Sequence, residues 1–147
     1  MRLWHTHPAS LPTSLLSRQH QTTHLLLTVI ASGRELGGMS RYQHSAGFVA
    51  WIHHQCAEEM ILRGMRHDSP LYEIWSRIPQ RKRKIDIYIP STRYLRDRRD
   101  LLAKIDNIDK GGQMQAAQMP VAEGLKHFAA DLAKVISTGL PENFEMI

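Results

Sequence analysis

The chain has 147 residues, 42% hydrophobic and 22% charged, with a formal net charge of +5 and a pI near 9.7. That length suits one domain with a core of its own. The longest apolar stretch, residues 25–31, is far short of the roughly 20 residues a membrane helix needs, and a lone cysteine, Cys56, excludes an intrachain disulfide and a thiolate metal cluster. A reducing cytoplasm is the expected compartment, with no membrane contact and a monomeric state.

The chain opens "MRLWHTHP". No apolar h-region follows, so a signal peptide is not expected. Three readings of this start compete: a frayed tail, a metal site, or a catalytic amino terminus. Thr13 or Ser14 can cap a first helix running to about Ser32, with Leu15, Leu16, Leu25, Leu26, Val29 and Ile30 as its apolar content. Gly33 ends it and "GRELGGMS" reads as a loop. A second helix is expected from near Tyr42 or Ser45 to Arg63, because Phe48, Ile52, Cys56 and Met60 recur at four-residue steps. Gly64 closes it.

"HDSPLYEIWSRIPQ" reads as a short helix between Pro70 and Pro79. "KIDIYIP" alternates but has no partner strand, so it is an extended connector. A third long helix is expected from Ser91 or Thr92 to Lys104, a linker over 105–119, a last helix over 120–138 and a tail over 139–147. Val121, Leu125, Phe128, Leu132 and Val135 or Ile136 form the stripe of that last helix. The sum is a compact all-α single domain spanning 1–147.

Charge is unevenly spread. Residues 77–104 hold ten basic and three acidic side chains, while the rest of the chain nets −2. A block of this kind favours a polyanion such as nucleic acid over a merely solvated face.

Nine histidines invite a metal reading. His20 and His24, four apart, share a helix face, and His5 and His7 could join them. Without an acidic partner in the H-E-x-x-H frame that pattern is weak, and the working expectation is no metal and no cofactor, with His5, His7, His20 and His24 as the alternative metal set. His53 and His54 point to different faces and read as core or surface. Cys56 lies on the apolar stripe and reads as a structural thiol. Glu58 and Glu59 diverge by about 100° and do not converge on a substrate. The amino terminus differs in kind. An α-amine has a pKa of about 7.7–8.0, a neighbouring cation such as Arg2 lowers it, and a neutral amine can form a Schiff base with an aldehyde-like carbon. Arg2 is bulky, so Met1 is expected to be retained.

The pieces "MRLW", "LLSRQHQTTHLLL", "GFVAWIHHQCAEEMILRG" and "IDIYIPSTRYLRDRRDLLAKI" follow in order over roughly residues 1–104. In their order and spacing the chain resembles the pyrimidine-dimer DNA glycosylase/AP lyase family, of the phage endonuclease V type. The resemblance implies a compact all-α fold and recognition of a cross-linked pyrimidine pair in double-stranded DNA. It implies attack of the Met1 amine on C1′, with Arg2 holding phosphate or sugar. The family carries an Arg-Glu pair about two turns after the Gln-His-like position; here Leu26 and Leu27 stand there, and the nearest such pair is Arg34-Glu35 in the loop. His20 or His24 is then expected to take over proton transfer. Arg18, Arg41, Lys82, Arg83, Lys84, Arg93 and Arg96 are the expected DNA contacts, and Trp4, Tyr42 or Trp75 the expected wedge. A non-catalytic nucleic-acid-binding relative and a His-based metal-binding protein are the alternatives.

Overall fold

A computed structural model describes residues 2–110, 117 and 119–147. Five α-helices carry the fold: α1 (Thr13–Ala31), α2 (Ala46–Leu62), α3 (Tyr72–Ser76), α4 (Ser91–Lys110) and α5 (Val121–Thr138). No strand occurs among the described residues, only an isolated bridge between Ser45 and Arg83. The fold is all-α, as expected.

α2 is the central element. Phe48, Val49, Ile52, Cys56 and Met60 are buried, and so are Trp51, His53, His54 and Glu59. A helix buried all round belongs at the middle of a core, so the single stripe expected from the four-residue recurrence understates it. α1 packs along it through Leu16, Leu26, Leu27 and Ile30. α5 closes the other side with Val121, Leu125, Phe128, Leu132 and Val135; Ile136 stays exposed. Each such fully buried aliphatic or aromatic side chain contributes roughly 1.5–3 kcal/mol.

The amino-terminal segment is part of this core. Leu3, Trp4, His5 and Thr6 are all buried, and His7 N donates to Gly124 O at 3.0 Å. Gly124 is required there: a Cβ would lie 2.5 Å from Ser10 Oγ. The frayed-tail reading fails for residues 2–7. Two other expectations change. α4 continues to Lys110, so residues 105–110 are helix and not linker; residues 111–116 and 118 lie outside the described residues. The carboxy-terminal segment is anchored, with buried Phe144 meeting the Trp75 ring edge-on at 5.0 Å.

Candidate functional site

Two sites lie on neighbouring faces of α1, with Gln21 and Leu25 lining both openings. The first surrounds Arg2. Gln19 holds the amino-terminal segment against the helix: Trp4 N donates to Gln19 Oε1 at 2.7 Å, and Gln19 Nε2 donates to Trp4 O at 2.8 Å. The Arg2 guanidinium stacks over the Trp4 ring at 4.2 Å. It donates from Nη2 to Asp97 at 2.6 Å and from Nη1 to Asp100 at 2.7 Å. Asp97 is buried and also pairs with Arg93 at 3.1 Å. The Arg2 and Arg99 guanidiniums hold the Asp100 carboxyl below its usual range, so it stands as a carboxylate at neutral pH.

Arg2 separates two openings. On one side Arg2, Trp4, Arg18, Gln19, Asp100 and Lys104 line a cavity of about 640 Å³. On the other, Arg2, Arg41, Arg93 and Arg96 line a groove of about 210 Å³. Four of the expected DNA contacts, Arg18, Arg41, Arg93 and Arg96, therefore flank Arg2. Met1 lies outside the described residues.

The other expected contacts are placed differently. Lys84 is exposed on the extended connector and lines neither opening. Lys82 is buried, at 8% exposure. Arg83 donates to the Ile78 and Trp75 carbonyls at 2.9 Å each and lies over the Trp75 ring. Arg83 is thus tied back onto α3 and Lys82 is buried, whereas Arg81 and Lys84, at the two ends of the same run, face solvent. Tyr42 cannot serve as a wedge: it is fully buried and its hydroxyl bonds His5 Nε2 at 2.8 Å.

Leu26 and Leu27 are core residues with 1% and 0% exposure. Arg34 and Glu35 are exposed beyond the end of α1, outside the Arg2 cavity. Asp97, Asp100 and Gln19 are the polar residues that sequence reasoning missed. The signal was the D-R-R-D spacing of Asp97 and Asp100, three apart on one helix face.

His20 and His24 do not reach Arg2. Adjacent helical residues point about 100° apart, so Gln19 faces Trp4 while His20 faces the second site. There His20 Nε2 lies 3.1 Å from His53 Nε2, 3.3 Å from His24 Nε2 and 2.9 Å from His67 Nε2. His24 and His53 are 3.0 Å apart. Burial and the neighbouring imidazoles push His20 down to about 4 and His53 to about 2, so both rings are neutral at pH 7.

The expected four-histidine set is corrected. His5 bonds Tyr42 and stacks on Phe128, with centroids 5.7 Å apart. His7 Nδ1 accepts from Ala9 N at 3.0 Å. Neither joins His20 and His24. His53, read as packing or surface, and His67, not singled out, take their places.

Residues 1–73 match the family model described as pyrimidine dimer DNA glycosylase. Over its first half, the chain is similar to that family. The match covers the amino-terminal segment, α1, α2 and all four clustered histidines, and stops before α4, which supplies Asp97 and Asp100. Neither a curated protein nor a solved structure matches the chain. No helix among the described residues is long and apolar enough to cross a membrane.

Proposed function

We propose that this protein is a DNA-repair glycosylase/AP lyase acting in the cytoplasm, as a monomer, on pyrimidine dimers in duplex DNA. The Met1 amine attacks C1′ of the damaged nucleotide. The glycosidic bond breaks, and the base leaves with its electron pair and takes the proton the amine gives up. The C1′–O4′ bond then opens as O4′ takes a proton from water, and the amine nitrogen and C1′ form a cationic Schiff base. Loss of a C2′ proton then expels the 3′ phosphate, and water releases the sugar. The observation that carries this reading is the position of Arg2, the residue next to Met1, between a cavity and a groove bordered by Arg18, Lys104, Arg41, Arg93 and Arg96. Those cations suit the phosphates on either side of a lesion. Arg2 is itself neutralised by Asp97 and Asp100, so its part is to fix the terminus as much as to hold phosphate. Asp100, ionised and beside the cavity, suits stabilisation of a cationic intermediate, a different part from the proton transfer expected of His20 and His24.

The test uses duplex DNA with an abasic site and borohydride. The expected result is a covalent protein–DNA adduct, abolished by acetylating the terminus or by adding one residue before Met1, while circular dichroism stays unchanged. A trapped adduct at wild-type level in the extended protein overturns the role of the amine. Leu26 and Leu27, standing in the core where the family has its Arg-Glu pair, favour one second reading: a DNA-binding relative without catalysis. Binding without trapping supports it.

A further inference from the structure

The histidine cluster is a separate matter from the chemistry at Arg2. Neutral imidazole has one N–H donor and one lone-pair acceptor. His20, His24 and His53 meet pairwise through the same atom, Nε2, at 3.0–3.3 Å. An Nε2 either carries the proton or does not. Around a ring of three such atoms the roles cannot alternate, so at least one of the three contacts joins two lone pairs or two N–H groups. Hydrogen bonding alone therefore cannot satisfy the triangle. His67 adds a further Nε2 at 2.9 Å from His20. His53 is fully buried with no hydrogen-bond partner at Nδ1, and the Ser69 backbone, which bonds both His53 and His24, does not make the three roles alternate.

A cation among the nitrogens removes the conflict, since every Nε2 then directs a lone pair at it. Zinc–imidazole bonds of about 2.0–2.1 Å place tetrahedral ligand nitrogens about 3.3–3.4 Å apart, within a few tenths of an ångström of the triangle's edges. All donors are imidazole, which suits zinc and its neighbours and not magnesium or calcium. A route in exists: Ser17, Gln21, Arg66 and His67 line a cavity of about 560 Å³ that His20 and His24 also face.

We propose that His20, His24 and His53, whose ring nitrogens all lie within 4.8 Å of one another, bind one divalent transition metal of the zinc class, and that His67, 2.9 Å from His20 but outside that set, moves in to supply a fourth nitrogen. His20 and His24 come from α1, His53 from α2, and His67 from the segment 65–70, which has no helical structure. The metal is thus a clamp that ties this segment to the main helix pair.

The experiment strips the purified full chain with a chelator, adds zinc, dialyses, and measures bound zinc by elemental analysis alongside the melting temperature. One zinc per chain and a higher melting temperature with zinc are expected. His24→Gln and His53→Gln should lose the retained zinc, His67→Gln should weaken binding by about tenfold or more, and the exposed-surface control His127→Gln should behave as wild type. Should His53→Gln fail to fold, His24→Gln decides alone, because His24 is only half-buried. Failure of the wild type to retain zinc, or wild-type retention by His24→Gln, overturns the site; unchanged affinity in His67→Gln removes the fourth ligand. The protein extended before Met1 should keep its zinc, which separates this inference from the proposed activity.

Discussion

His5 illustrates how a single residue's surroundings set its chemistry. It is buried between Phe128, Phe48 and the Tyr42 hydroxyl, and desolvation lowers it to about 4. Unfolded, it titrates near 6.5. Its folded value is the lower one, so the unfolded chain binds more protons between those pH values. The stability this neutral ring contributes is full above pH 6.5 and is lost as pH falls toward 4. The loss amounts to about 3 kcal/mol over that window. Urea unfolding of wild type and His5→Gln at pH 7 and pH 4 should show the gap between them narrowing by about that much. A pH-independent gap would mean that His5 is not buried as a neutral ring. His20 and His53 shift the same way but are present in both proteins, so the difference isolates His5.

At the level of elements, the contact of α2 with the segment 83–84 depends on one small residue. Gly47 sits in the first turn of α2, where a Cβ would lie 2.6 Å from Arg83 O and 2.7 Å from Lys84 O. That approach lets Phe48 N donate to Lys84 O at 3.1 Å. Alanine gains up to about 1 kcal/mol of helix propensity. The clash is with backbone, which cannot swing aside, and overpacking of this kind costs about 1–3 kcal/mol. Gly47→Ala should therefore lower the unfolding free energy by about 1–2 kcal/mol. Gly38→Ala, with nothing within 4 Å, should change it by less than about 0.5 kcal/mol. Equal urea midpoints for the two variants would show that the segment 83–84 yields.

Over the whole molecule, the sequence-level basic block splits into two parts. Lys82 is buried and Arg83 ties its segment to α3, whereas Arg93 and Arg96 border the groove beside Arg2, where Arg41, outside the block and some 55 positions before Arg96, joins them. If that face meets DNA, the double variant Arg41→Ala/Arg96→Ala should reduce the slope of log affinity against log salt by about 2. Lys82→Ala should leave the slope unchanged. A duplex-binding titration over a salt series checks both, and an unaltered slope in the double variant would move the DNA-binding face elsewhere.

α1, α2 and α5 were legible because apolar residues at helical spacing can be buried only as helices, and the resemblance over "MRLW" and the first two helices rests on residues that the family model also matches. The all-α fold follows from that local information. Sequence alone also marked Cys56 as a buried thiol and Leu26 and Leu27 as lacking the family's Arg-Glu chemistry. Long-range partners were not legible. Asp97 and Asp100 reach Arg2 across more than ninety residues, and His53 and His67 reach His20 across 33 and 47. No periodicity encodes such meetings, because they depend on how the helices pack and which side of α1 each neighbour covers. Local sequence thus determined the helices and the residue types available. Tertiary packing decided that Gln19 and His20, adjacent in the chain, serve two separate sites, since one step along a helix turns a side chain through about 100°.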